Sequence, residues 1–185
     1  MEDIDAAHGR WLERRRAELA GPESWLGLIG LFWLEPGDNA VGSGDGCAVR
    51  LPTGPERLGC LRLTDGEAIW LPAVSAGAAV EGGRPAGTGA WYLASDQDGN
   101  PSRVVAGDLA FSLIARDGRL AVRLRDRNWA ARRTFPGIPC FAFAPEWRIV
   151  ARWQPLLPPV ALEVPNVSGE LRTVTVDHQA LFTVD

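Results

Sequence analysis

An anion could be bound by one tryptophan and four of the five arginines that lie between positions 123 and 133. They are Arg123, Arg125, Trp129, Arg132 and Arg133. A guanidinium group donates paired hydrogen bonds to a carboxylate or a phosphate, and it also stacks on an indole ring. The spacing therefore predicts a site for a small anionic ligand. The alternative is a solvated strand face whose arginines pair with neighbouring carboxylates, where each exposed pair contributes only about 0–1 kcal/mol.

Other groups that could do chemistry are scattered along the chain. There is no lysine, which excludes a Schiff base and the lysine of a phosphate-binding P-loop. Cys47, Cys60 and Cys140 show no CxxC spacing and only two histidines accompany them, so we predict no metal site and no cofactor. The glycine-rich segments 42–46 and 82–89 could hold an anion on backbone N–H groups, but flexible loops are favoured because no helix follows either segment.

A predicted β-hairpin carries the arginine cluster. Apolar residues alternate with polar ones on both sides of Asp117-Gly118, which is a strong hairpin signal. A period of two directs Leu120, Val122 and Leu124 inward and the arginines between them outward.

The rest of the chain has the same character. Short apolar runs separated by Gly, Pro and Asp recur roughly every ten residues, which is typical of a β-sandwich or barrel. We predict a mainly-β fold, a sandwich or partly open barrel of short antiparallel strands with one N-terminal α-helix. The predicted division is an N-terminal helix (1–21) packed on the domain, a β domain (22–153), and a Pro-rich linker with a C-terminal β arm (154–185).

Most of the tryptophans fall within strand patterns, which predicts that they build the core. These residues are Trp25, Trp33, Trp70, Trp91, Trp147 and Trp153.

Composition and charge exclude several classes of protein. A hydrophobic content of 46% is too high for a disordered chain. The net charge of -4 argues against binding to nucleic acid or to an anionic membrane surface. The most apolar run, 25–34, is shorter than the roughly 20 residues that span a bilayer, and the acidic N-terminus has no signal-peptide core. We therefore expect a soluble, cytoplasmic protein.

The order of the motifs resembles domain-of-unknown-function family 1684, over about Asp5 to Leu181. The motifs are the run Trp25 to Leu34, Gly37-x-Asn39-x-x-Gly42, Leu51-Pro52, Gly107-Asp108-Leu109-x-Phe111, Arg116-x-Gly118-Arg119, Val122-Arg123, Asp126, Phe135-x-Gly137-Ile138-Pro139 and Trp147-Arg148-x-x-Ala151-Arg152. Longer members of that family continue into a second half that this sequence lacks. The resemblance implies that any reactive site in that half is missing here.

Three hypotheses for function remain open at this point. We favour a non-catalytic module that binds a small anion or a partner, because no coherent set of acid, base and nucleophile is visible. The alternative is an enzyme, or a truncated one, whose site lies in a missing C-terminal half or in an Arg/Asp cleft. The third is a purely structural module. We also expect a homodimer formed through the C-terminal arm, because an unpaired strand edge associates readily with another chain.

Overall fold

The computed structural model describes residues 4–74, 76–165 and 171–183. Residues Leu12–Ile138 form one compact unit, and the described residues up to Trp11 and from Pro139 onward form another. Helix α1 (Ile4–Ala20) begins the chain and Gly21-Pro22 follows it, as the sequence predicts. No helix among the described residues is both long enough and apolar enough to cross a membrane.

Eleven strands lie within the unit Leu12–Ile138. They are β1 (Leu28–Trp33), β2 (Gly37–Gly42), β3 (Val49–Arg50), β4 (Gly59–Thr64), β5 (Glu67–Pro72), β6 (Ala79–Glu81), β7 (Arg84–Pro85), β8 (Trp91–Leu93), β9 (Arg103–Ala106), β10 (Leu109–Arg116) and β11 (Arg119–Asp126). Sheet I has the antiparallel order β1-β11-β10-β9-β6. Sheet II has the order β3-β2-β4-β5-β8-β7 and is antiparallel except between β2 and β3.

Both sheets contribute to one hydrophobic core. Leu61 and Trp70 from sheet II belong to the same buried cluster as Phe111, Leu113 and Val122 from sheet I. The Trp70 ring lies edge-on to the Phe111 ring with 5.4 Å between the centroids. Aromatic pairs in this geometry add about 0.5–1.5 kcal/mol to the burial of their surface. The predicted mainly-β fold with one N-terminal helix is confirmed, and over the described residues neither sheet closes into a barrel.

Two tight turns fix the register of the longest hairpins. Asp65-Gly66 joins β4 to β5, and Asp117-Gly118 joins β10 to β11. All four turn residues have positive φ, between 51° and 80°. Two successive positive φ values match the turn that follows the natural twist of a two-residue hairpin, and Asp-Gly is one of the few sequences that adopt it without strain.

Two short elements flank sheet I. A 3-10 turn at Trp25–Gly27 precedes β1, and its first N–H groups are capped by the hydroxyl of Ser24, which accepts from the Leu26 N–H at 3.1 Å. Helix α2 (Trp129–Arg132) follows β11 directly. The chain between α2 and residue 151 contains only a second 3-10 turn, Pro145–Trp147.

The prediction that the tryptophans build the core is wrong for several of them. Trp70 is fully buried, but Trp25, Trp147 and Trp153 expose 61%, 71% and 68% of their surface. Trp147 lies in the second 3-10 turn and Trp153 in a two-stranded sheet, and neither belongs to the buried cluster that sheets I and II share. An apolar run in the sequence marks a strand or turn, but it does not show that another sheet covers it.

The C-terminal region forms a separate sheet from β12 (Arg152–Pro165) and β13 (Leu171–Leu181). The segment predicted as a Pro-rich linker therefore lies inside β12. The ladder stops after the pair Pro155–His178 and resumes at Val160–Val176, so residues 156–159 have no partner across the sheet. Proline has no N–H to donate, which explains why the pairing skips this stretch although the strand continues.

Candidate anion-binding site

The structure divides the predicted arginine cluster between two places. Arg123 and Arg125 lie on the outward face of β11. Val122 and Leu124, which alternate with them along the strand, are buried in the core. Arg132 and Arg133 lie beyond the strand, where α2 carries the chain to the end of the sandwich, and both line a cavity there.

The outward face of sheet I offers little room for a ligand. Arg123 and Arg125 line a depression of only about 60 Å³ together with Arg103. The Arg125 Nη1 donates to the Ser24 carbonyl at 2.7 Å, and partial burial lowers the pKa of Arg125. Arg103 pairs with Glu23 at 2.8 Å. Two of the three arginines on this face are therefore engaged by the protein itself.

Trp129 has a packing role in this structure. The side chain is 4% exposed and meets the Phe135 ring edge-on at 5.3 Å. Its Nε1–H is buried and has no hydrogen-bond partner among the described residues. Because the ring is enclosed, it anchors α2 to the sandwich and does not present a face to a ligand in the cavity.

The cavity at Arg132 and Arg133 has a volume of about 620 Å³ and opens at one end of the sandwich. Its lining residues come from β1, β10, β11, the end of α2, β3 and the loops around β3. They are Ile29, Ser43, Arg50, Leu51, Pro52, Thr53, Leu109, Leu124, Asp126, Arg132 and Arg133. Three arginines and one aspartate make this lining net positive. We call it the anion cavity.

Arg132 is braced by two carboxylates. Its guanidinium group donates to Asp126 and, at 2.5 Å, to Asp108. The hydrogen bond from Arg132 lowers the pKa of Asp108, with a smaller contribution from Asn128, and the same two carboxylates raise the pKa of Arg132. Asp126 also accepts the Asn128 N–H at 2.9 Å, which fixes the start of α2.

Arg133 and Arg50 are the guanidinium groups that remain for a ligand. Arg133 is exposed, and among the described residues no carboxylate lies within ion-pair distance of it. Arg50 pairs with Asp45 at 2.7 Å, but the two side chains are 58% and 94% exposed. An ion pair so open to water is worth little and exchanges easily for a better partner. A ligand carboxylate or phosphate could therefore engage both arginines.

Sequence reasoning missed the residues that sheet II contributes. Arg50 lies in β3, and Ser43 and Thr53 lie in the loops on either side of it. All three reach the cavity because β3 pairs in parallel with β2 at the edge of the sheet. The sequence did contain one local indication of this site. The glycine-rich segment 42–46, which could bind an anion through its backbone N–H groups, supplies Ser43. Gly42 packs so closely on the backbone of Glu56 that a Cβ would clash there, so the loop is held in place.

The opposite end of the sandwich has the reverse charge. A cavity of about 880 Å³ lies beside the two Asp-Gly turns. Four carboxylates and two arginines line it, namely Glu35, Asp65, Glu67, Asp98, Arg84 and Arg119. Both arginines rest on aromatic rings, Arg84 over Tyr92 at 4.0 Å and Arg119 over Trp33 at 4.7 Å. The residues that line the anion cavity thus carry a net positive charge, whereas those that line the opposite cavity carry a net negative charge.

Among the residues that the structure describes, no three His, Cys, Asp or Glu side chains come together as a metal site would require. Comparison of the chain with protein-family models, with curated proteins and with solved structures finds no match. The resemblance to family 1684 accordingly stays a prediction from the motifs.

Proposed function

We infer that this chain is a non-catalytic binding module whose ligand is a small organic anion held in the anion cavity. The observation that carries this proposal is the concentration of Arg50, Arg132 and Arg133 around one cavity in a chain whose net charge is -4. Most of an acidic protein surface repels an anion, but a cavity lined by arginines attracts it. The attraction is strong because a charged cleft concentrates the electrostatic potential.

The floor of the cavity defines the rest of the ligand. Leu51, Leu109 and Leu124 are 3%, 7% and 1% exposed, so the base of the cavity is the edge of the hydrophobic core. Ligand sites typically combine such an apolar lining with a few polar groups that orient the ligand, in cavities of about 300–1,000 Å³. We therefore assign a ligand with a carboxylate or phosphate head and an apolar body, rather than a bare inorganic ion.

The polar groups favour binding over catalysis. The Asp126 carboxylate is occupied by Arg132 and by the Asn128 N–H, so it serves to position α2. The Ser43 hydroxyl donates to the Gly54 carbonyl at 2.8 Å and holds the loop. A general base must reach the proton that it removes, and a nucleophile needs such a base beside it. Asp126 and Ser43 instead serve to position the guanidinium group of Arg132 and the loop that lines the cavity.

The proposal is tested by measuring binding of phosphate, phenyl phosphate and a series of alkyl carboxylates by calorimetry and thermal shift. A ligand at about 100 times its Kd stabilises the fold by roughly 2.7 kcal/mol, which raises the Tm by about 5–10 °C for a chain of this size. Arg133→Ala should weaken binding about tenfold, since a hydrogen bond to a charged group at an open site is lost.

Arg84→Ala is the matched control, because Arg84 is also an exposed arginine but lines the cavity at the opposite end. It should leave the affinity unchanged. If no anion in the panel shifts the Tm, or if Arg84→Ala weakens binding as much as Arg133→Ala, the proposed function is wrong. Equal affinity for phosphate and phenyl phosphate would contradict the apolar part of the assignment alone.

A further inference from the structure

The sheet of β12 and β13, which we call the ribbon, has two chemically different faces. Directly paired residues of an antiparallel ladder lie on the same face, and successive pairs alternate between faces. One face carries the pairs Val160–Val176, Leu162–Val174 and Val164–Arg172. The other carries Ala161–Thr175, Glu163–Thr173 and Pro165–Leu171. The first face is almost entirely β-branched or leucine.

The apolar face continues across the irregular stretch in β12. Because β13 is uninterrupted, His178 and Ala180 lie on the same side as Val176, and their partners are Pro155 and Trp153. The ring of Trp153 stacks on that of His178 with 5.4 Å between centroids and 11° between planes. The irregularity thus shifts the parity of β12 so that Trp153 joins the apolar face.

Most of this face is open to solvent, and Val176 and His178 at its middle are partly buried. Trp153 is 68% exposed, and Val160, Leu162, Val164 and Val174 are 44–47% exposed. Alternation of apolar and polar residues is the pattern of an antiparallel sheet with one face covered. An isolated two-stranded sheet is marginally stable in water, and three strands or a packing layer are needed to stabilise it. The pattern of the ribbon therefore calls for a covering layer.

We propose that the covering layer is the same face of a second copy of this chain, so that the protein forms a two-fold symmetric homodimer. This proposal is independent of the anion cavity, because every residue that carries it lies in β12 or β13.

The residues along β13 make the face complementary to itself. Val176 lies midway between Arg172 and Ala180 in the strand. A two-fold axis that passes across the ribbon at the Val160–Val176 pair therefore brings Arg172 of one copy over the Ala180–Trp153 pair of the other. A guanidinium group over an indole face is favourable, and the symmetry provides the contact twice. Arg172, the one permanently charged residue on the apolar face, thus gains a partner.

The size of the face sets the expected affinity. The 11 residues of β13 extend over about 36 Å, and two strands are about 10 Å wide. Packing two such faces buries roughly 800 Å² in total, below the roughly 1,200 Å² at which stable specific interfaces begin. The dimer should therefore belong to the weak, reversible class of interfaces.

Sedimentation velocity of the full chain from about 1 μM to about 500 μM tests this, since the range brackets weak-interface affinities. We expect a concentration-dependent shift from monomer to dimer. Leu162→Glu, in the pair of the apolar face next to the proposed axis, should abolish the shift. Thr175→Glu, on the opposite face of the same ribbon, should leave it intact.

A covalent readout keeps the test valid if Leu162→Glu disturbs the ribbon. Val176→Cys places two thiols near the proposed axis, and oxidation should link two copies on a non-reducing gel. Thr175→Cys and the unaltered chain, which has its own Cys47, Cys60 and Cys140, should show no such dimer. A monomer throughout the concentration range overturns the proposal. So does a dimer that survives Leu162→Glu but is lost in Thr175→Glu, which would indicate pairing through the other face.

Discussion

Gly27→Ala should damage both the stability of the sandwich and the anion cavity. Gly27 ends the 3-10 turn before β1 and lies against the segment that joins β11 to α2. A Cβ at this position would lie 2.6 Å from the Asp126 carbonyl oxygen and 2.9 Å from Cδ1 of Trp129, where distances under 3.0 Å require something to move. The first of these atoms belongs to the backbone and the second to an enclosed ring, so neither can simply rotate away.

The magnitude follows from that geometry. Forcing an extra carbon into a packed site typically costs about 1–3 kcal/mol. For a chain of 185 residues each kcal/mol lowers the Tm by about 2–4 °C, so Gly27→Ala should melt about 2–12 °C below the parent chain. Relief of the clash by movement of Trp129 displaces the start of α2, which contains Arg132 and is followed by Arg133. Affinity for a phenyl phosphate probe should therefore fall as well, at temperatures where the variant is fully folded.

Differential scanning calorimetry and titration calorimetry measure the two effects. Gly46→Ala is the control, because no atom lies within 4 Å of its added Cβ and its φ is not in the positive region. Substitutions at such surface positions usually stay within about 0.5 kcal/mol. A Gly27→Ala chain that melts with the parent would show that the 3-10 turn does not pack tightly against Asp126 and Trp129, and that Gly27 does not help to position α2.

Two further predictions concern the charges around Arg132. Asp108→Asn releases one side of the Arg132 guanidinium and removes a negative charge. Anion binding should therefore tighten about three- to tenfold, as measured by calorimetry. Asp38→Asn, which breaks a comparable pair with Arg62 outside the cavity, should leave the affinity for the anion unchanged. The hydrogen bond from Arg132 lowers the pKa of Asp108, and the hydrogen bonds to Asp126 and Asp108 raise the pKa of Arg132. The pair of Arg132 and Asp108 therefore keeps both charges at neutral pH and is lost only as the pH falls through the lowered pKa of Asp108. Binding of a phosphate monoester should therefore strengthen between about pH 5 and pH 7.5, as the ligand takes its second charge near pH 6, while binding of a sulfonate stays constant; a parallel rise for both ligands would show that a protein group titrates instead.

The hairpins were predictable because their determinants are local. The turns at Asp65-Gly66 and Asp117-Gly118 have positive φ at both positions. The dipeptide Asp-Gly in the sequence is enough to predict such a turn. The alternation in β11 likewise follows from a period of two, and it places Val122 and Leu124 in the core. These features depend on a few adjacent residues, so no knowledge of the rest of the chain is required.

Which residues line the anion cavity depends on contacts between segments that are far apart in the sequence. The period of two ends at Asp126, so Arg132 and Arg133 do not extend the outward row that Arg123 and Arg125 begin. Arg50 enters through the parallel pairing of β3 with β2, which no local pattern indicates. Tertiary pairing, rather than local propensity, thus decides which arginines share a site.

The position of Asp126 explains why a cavity with an open arginine arises at this end of the sandwich. Asp126 continues the inward row of Val122 and Leu124, so its carboxylate occupies the last core position of β11 and is only 13% exposed. A carboxylate so placed needs charged or hydrogen-bonding partners, because burying it without them is costly. The chain provides this partner because it turns into α2 directly after β11. The turn brings the Arg132 guanidinium group into contact with the carboxylates of Asp126 and Asp108. Arg133 follows at once in sequence, beyond the reach of either carboxylate, and is left at the mouth of the cavity. The same turn that neutralises a buried charge therefore leaves Arg133 exposed at the mouth of the cavity, with no carboxylate within ion-pair distance among the described residues.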